Sequence, residues 1–470
     1  MKKAVLLIFV ISALSFSQNK QVLYGFTDIP QSLLLNPGGK VTNNWFFGIP
    51  LLSHIHANVG GSGATIYDVF AVDGVDFNDK LRRAVYGMNA NDFYTATQQL
   101  EVVSGGFAFG KGYEKNKYLS FGIYTELDVI GYMPKDYAVL AYEGNHDNIG
   151  RYFNLGHLNA KADFISVFHV GYNKQVNEDF IFGFRGKIYS SVVSLNSTKN
   201  QGYFVTLNGR DNIYNHIFNL DLELSTSGLA SITDDESEDD FTMKDLQNRL
   251  LLGGNLGLGF DMGFSYRLSD QWTVDGSLLD IGFIRHSKDV ENYKLEGQYA
   301  LEGINPVFPE AGEGQTGQEY WDEIKENFEN LFEVDTTHTK FTTWRPVKLN
   351  ASINYAFGKD KNKDCNCVKQ SEGYQNAAGL QLYAIKRPRR PQAALTAYYY
   401  RKLFNGLSTK VTYTIDSYSF YNFGLGFSTN IKGLNFYVMA DNFIEYRNVY
   451  NAQSLSLQFG FNYIFNKNED

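Results

Sequence analysis

The chain has 470 residues, of which 43% are hydrophobic, 16% aromatic and 20% charged, with a formal net charge of −9. The acidic balance argues against nucleic-acid binding, which needs a basic face for phosphate. Two cysteines exclude a disulfide scaffold and a Cys-rich metal centre.

Lys2 and Lys3 precede the apolar run Ala4–Ala13, and small residues follow at Ser15 and Ser17. This is the layout of a secretory signal peptide over residues 1–17, with cleavage expected after about Ser17. The run is too short to span a bilayer as a helix, and no longer apolar run follows it.

From there to the C-terminus the dominant signal is period-two alternation. In Gly254–Tyr266, Leu256, Leu258, Phe260, Met262, Phe264 and Tyr266 share one parity, while Asn255, Gly257, Gly259, Asp261, Gly263 and Ser265 share the other. A strand puts these sets on opposite faces. The same pattern recurs in Leu119–Val129, Phe180–Tyr189, Phe218–Leu224 and Leu455–Phe465. A soluble sandwich also alternates. Three details point instead to a wall in hydrocarbon. The runs are long enough to cross a bilayer when tilted, the charges Arg185, Lys187, Asp221, Glu223 and Asp261 sit mid-strand on the polar parity, as a wet lumen permits, and aromatics gather near strand ends. Strands in lipid must close on themselves, because every backbone group needs a partner.

The predicted fold is an all-β, transmembrane antiparallel β-barrel of about 14 to 16 strands with short periplasmic turns and long outer loops. Sixteen segments qualify, among them 44–58, 202–209 and 214–225; the pieces 44–58 and 202–209 are the weakest. With both termini periplasmic, short turns fall at 110–117, 173–179, 267–271, 402–406 and 430–433. Long connections alternate with them at 132–157, 226–253 and about 285–346. The connection 359–377 is the one long periplasmic exception.

Several segments could carry chemistry. The acidic run 234–240 lacks the spacing of a calcium loop. Glu319–Phe332 reads as an amphipathic helix with Ile324, Phe328 and Phe332 on its apolar face, placed to gate the barrel mouth or to pack on other loops. His54 and His56 share a strand face, but no third metal ligand can be assigned. Cys365 and Cys367 are open to oxidation, to remaining free, or to cross-linking. Lys386, Arg387, Arg389 and Arg390 form a basic outer turn. No G-x-S-x-G, HExxH or P-loop pattern is present, so no enzyme and no cofactor are expected.

Short motifs carry a resemblance. Leu35-Asn36-Pro37, Phe47-Gly48-Ile49-Pro50-Leu51, Ser277–Arg285, Thr343-Trp344-Arg345-Pro346 and Ala440-Asp441-Asn442 resemble, in this order, an uncharacterised family of outer-membrane barrels in Bacteroidota. That family is distantly similar to the long-chain fatty-acid transporter barrels. The resemblance implies the cell outer membrane as location and membrane lipid as partner. It also implies that residues 18–42, with Asn36 and Pro37, enter the lumen as a plug, leaving 43–470 as the barrel. Such barrels resemble secretion and gliding accessories too, so other outer-membrane or secretion-system proteins are possible partners. Asp280 and Arg285 are expected to pair and order the long loop that follows them. The resulting expectation is a channel or transporter for a small apolar or amphipathic solute. The alternative is a non-transporting accessory that docks partners through its outer loops.

Overall fold

The computed structural model describes residues 20–110, 115–209, 214–233, 241–302, 334–359, 374–404 and 406–465. The proposed gate residues Ile324, Phe328 and Phe332, the acidic run 234–240, and Cys365 and Cys367 lie outside these residues. No described helix is long and apolar enough to cross a membrane.

The wall is a closed antiparallel barrel of 14 strands, with further strands outside it. The first wall position is shared by β1 (Trp45–Gly48) and β2 (Ile55–Gly61). Then come β3 (Phe93–Phe109), β4 (Lys117–Tyr132), β6 (Asn159–Gln175), β7 (Phe180–Asn208), β9 (Asn255–Arg267) and β10 (Trp272–His286). The next wall position is shared by β13 (Phe341–Trp344) and β14 (Lys348–Lys359), which both pair with β10, and the circuit continues with β15 (Tyr374–Ile385), β16 (Gln392–Phe404), β17 (Leu407–Asp416), β18 (Asn422–Ile431), β19 (Leu434–Asp441) and β20 (Ser454–Phe465). Closure is made where Trp45 pairs with Phe465 and Ile55 with Phe459.

Alternation sets the faces. On β9, Leu258 is 58% exposed on the outside and Asp261 is fully buried inside. The apolar parity therefore points away from the molecule all round the wall, the inverse of a water-soluble core, as a bilayer-spanning barrel requires.

Two of the expected strands belong elsewhere. Residues 202–208 are not a separate strand but the far end of β7, and β8 (Tyr214–Ser227) is not in the wall. Beyond Ser191, β7 leaves its wall partner β9 and pairs with β8, which pairs with β11 (Val290–Glu302). Short β5 (Tyr152–Asn154) and β12 (Asp335–Thr337) flank this outer sheet. One of its faces has its own apolar core, in which Phe153, Phe204 and Leu220 pack against Val85 and Val139. Those two valines come from the loop helices α2 (Phe77–Gly87) and α3 (Lys135–Glu143). Alternation looks alike in both settings, and this accounts for the overcount.

The weak segment 44–58 is a wall strand, interrupted at 49–54. Pro50 has no N–H to give a ladder, and Leu51 takes a left-handed φ of 64°. Neighbours bridge the break: Leu51 N–H donates to Val102 O at 3.1 Å and Phe461 N–H to Leu52 O at 2.9 Å. Inside it, Tyr437 donates to Ser53 O at 3.0 Å and its hydroxyl lies 2.7 Å from His54 Nδ1.

Candidate functional site

Residues 20–43 run inside the barrel and reach the wall at the short-turn end. The segment satisfies much of its own backbone through tight turns: Phe26 N–H donates to Leu23 O, Ile29 to Phe26 O and Ser32 to Ile29 O. A 3-10 helix, Pro30–Leu34, follows with proline at its start, where no N–H is needed. A buried chain must also place its spare carbonyls, and here the lumen side chains of the wall supply donors. Arg185 donates to Leu34 O at 3.2 Å and also to Leu33 O. Ser277 Oγ donates to Leu35 O at 2.6 Å. Asn173 donates to Pro37 O and Gly39 O at 2.8 and 2.9 Å. Across the lumen, Lys410 donates to Tyr24 O at 2.5 Å, and Gln31 donates to Glu101 and Asn462 at 2.9 and 2.8 Å.

Asn36 and Pro37 meet the wall at glycines. Asn36 Nδ2 donates to Phe264 O at 3.1 Å. A Cβ on Gly183 would lie 1.9 Å from Pro37 O. On the far side Val22, Leu23, Phe26 and Ile29 cluster with Tyr437 and Met439, and Val22 presses on Gly424 and Gly426. Glycine on the polar parity of a strand is thus a place where a second backbone fits.

Beside the segment, half the wall carries a chain of ion pairs of alternating sign. Arg185 meets Asp261 at 3.0 Å, Asp261 meets Lys187 at 2.9 Å, Lys187 meets Asp280 at 2.6 Å and Asp280 meets Lys348 at 2.8 Å. Lys348 then reaches Glu126 at 3.4 Å, Glu126 reaches Arg345 at 2.9 Å and Arg345 reaches Asp163 at 3.4 Å. Arg387 pairs with Asp128 at 2.7 Å. Charges taken from water need such partners, since an unpaired one costs several kcal/mol, on the order of 3–5.

The expected Asp280–Arg285 pair is corrected. At Leu278/Ile281 the β9–β10 register shifts, and Asp280, at φ 59°, turns inward with its N–H donating to Asp261 Oδ1 at 2.7 Å. Its cations are Lys187 and Lys348, while Arg285 is exposed on the outward face beside Phe283. Five residues apart on one strand, the two side chains point to opposite sides. The basic outer turn is likewise partly consumed: Arg387 faces inward, and Arg389 donates to Ala90 O and His157 O at 2.8 and 2.9 Å. The rings of His54 and His56 stack 6.4 Å apart, and among the described residues no group of three or more potential ligands surrounds them.

Between segment and charges a cavity of about 90 Å³ remains, lined by Lys20, Gln99, Tyr124, Asp280, Lys348 and Tyr383. A larger polar cleft of about 1000 Å³ opens at the short-turn end beside residues 40–44, with Lys117, Asn173 and Arg267 on its walls. The sequence marked Arg185, Lys187 and Asp261 as polar-parity charges, but nothing in it paired them. Glu126 falls on the polar parity of Leu119–Val129, whereas Asp163 and Lys348 carry no such signal and Arg345 is marked only by the Thr343–Pro346 motif.

A family model described as a family of unknown function (DUF5723) matches residues 37–441. No curated protein matches the sequence. Among solved structures, the chain is similar to the toluene transporter TodX of P. putida at 8% identity and TM-score 0.36, covering 93% of this chain and 92% of that one. It is similar to a Pseudomonas aeruginosa FadL homologue at 9% identity and TM-score 0.41, covering 96% and 100%. It is also similar to the translocator domain of the autotransporter NalP from Neisseria meningitidis at 9% identity and TM-score 0.32, covering 91% and 90%.

Proposed function

The chain belongs to this family of unknown function, and we propose that it is an outer-membrane barrel passing a small apolar or amphipathic solute past a displaceable N-terminal plug. The location draws on the secretory N-terminus and the apolar exterior of the wall. One observation carries the plug. Each hydrogen bond described between residues 20–43 and the wall involves a side chain, and the first backbone pairing with the wall comes at Asn44, whose N–H donates to Phe465 O at 3.1 Å. A segment held by side chains can leave without breaking a β-ladder. The apolar cluster around Phe26 and the cleft of about 1000 Å³ would be the surfaces it uncovers.

The test compares the mature protein with a form lacking residues 18–42 in liposome-swelling assays. The intact protein is expected to be closed and the shortened one to admit small solutes. A shortened barrel that folds and stays closed would sink the plug.

A second reading, docking of other outer-membrane or secretion-system proteins, draws on the outer sheet. That sheet has its own core and plays no part in closing the wall. A photo-crosslinker at the exposed Gln298 in native membranes tests it; no captured protein counts against it.

A further inference from the structure

Above β7 the outer rim carries the sheet just described, and α3 and then α2 extend it to the loop that follows β2, near the connection between β19 and β20. The loop after β2 contains a short helix, α1 (Ile66–Phe70), started by a capping box between Thr65 and Asp68. Ile66, Tyr67 and Phe70 fall on one face of it, and none is buried; Ile66 is 59% and Phe70 67% exposed. Phe77 lies beside Phe70 with ring centroids 5.9 Å apart, and the exposed Val72 lies on the link between α1 and α2. The turn Val449–Asn451 packs on α1 and adds the exposed Tyr450. Along that link Lys80 bonds Asp73 and holds its carboxyl below the usual range, so its charge is spoken for.

A contiguous apolar patch of this kind marks an interaction surface, and its position names the occupant. The loop is tied to the strand ends: Gln453 donates to Gly63 O at 3.1 Å and Ser62 to Asp92 Oδ1 at 3.0 Å. α1 therefore cannot rise far above the wall. Below the loop the outward-facing Tyr94, beside Gly61 near the end of β3, is also exposed and begins the exterior of the wall there.

We propose that α1, with Val72, Phe77 and Tyr450, lies on the outer leaflet with its apolar side chains at the headgroup–acyl boundary, making a one-sided lipid contact beyond the strands. The mechanism is that of an interfacial amphipathic element, in which buried apolar area supplies the attraction. The inference rests on the outer-membrane reading above.

Spin labels at three sites test it, each placed as Phe70→Cys, Leu258→Cys or Asp147→Cys in a chain carrying Cys365→Ser and Cys367→Ser. The protein is reconstituted in phosphatidylcholine–phosphatidylglycerol vesicles, and relaxation by oxygen is compared with relaxation by a water-soluble nickel chelate. Leu258 reports the wall, and Asp147, with its side chain 85% exposed on an outer loop, reports water. The label at 70 is expected to favour oxygen, as at 258. If it follows 147 while 258 stays lipid-like, the leaflet contact is overturned and the barrel reading stands. If 258 also follows 147, both fall.

Discussion

The side-chain oxygen of Asn36 lies 2.1 Å from the position a Cβ on Gly263 would occupy. Neither partner is free to retreat, since the same oxygen accepts from Gly38 N–H at 2.9 Å. Adding one carbon at Gly263, or at Gly183 against Pro37 O, should lift the segment off the wall. Gly263→Ala and Gly183→Ala are expected to expose residues 20–43 to protease in the folded barrel. Gly186→Ala, where nothing stands within 4 Å, serves as the control and should change nothing. Equal protease resistance in all three would show that the contact does not hold the segment.

Arg185 joins the ion-pair chain to the segment. Arg185→Met removes the donors to Leu33 O and Leu34 O and one of the cations facing Asp261, while Lys187 remains at 2.9 Å. Stranded buried acceptors cost about 1–3 kcal/mol. Thermal unfolding in detergent should drop by about that amount. Arg185→Lys, which keeps the charge without the forked geometry, should fall between. A melting curve unchanged in both variants contradicts this role.

Asp280 does two jobs that substitution can separate. Asn tolerates the left-handed backbone but lacks the charge, whereas Ala loses both. The melting order should be wild type above Asp280→Asn above Asp280→Ala, with the last step worth about 1–2 kcal/mol. Equal melting of the two variants would mean that the bulge stores no such cost.

Leu258→Arg places a charge on the outward face of β9. In a bilayer this should cost about 2–4 kcal/mol near the midplane and less toward either rim. Equilibrium unfolding from lipid vesicles measures it, and a neutral result would contradict hydrocarbon as the medium of that face.

Much of the fold was legible because alternation is local. The outward set on β9 can be read from Leu256 to Tyr266 with no knowledge of any other strand, and the short turns declare the orientation of the rest. Legibility stopped where a strand's surroundings, not its pattern, decide its place. β8 alternates as cleanly as β9, yet it stands outside the wall. A strand in an outer sheet and one in hydrocarbon have the same period of two.

By itself the sequence determined a closed wall of amphipathic strands with apolar residues turned outward, because each residue's face follows from its neighbours two positions away. It also marked Asn36 and Pro37 as the approach to the first strand. Only the tertiary structure decided which buried charges meet. Lys187 and Asp280 are 93 residues apart and become partners at 2.6 Å when the wall closes and one bulge on β10 turns a carboxylate inward. Glycine positions such as 183 and 263 likewise acquired meaning only once a second chain segment lay against them. Coulomb and steric contacts act through space, and barrel closure sets those distances.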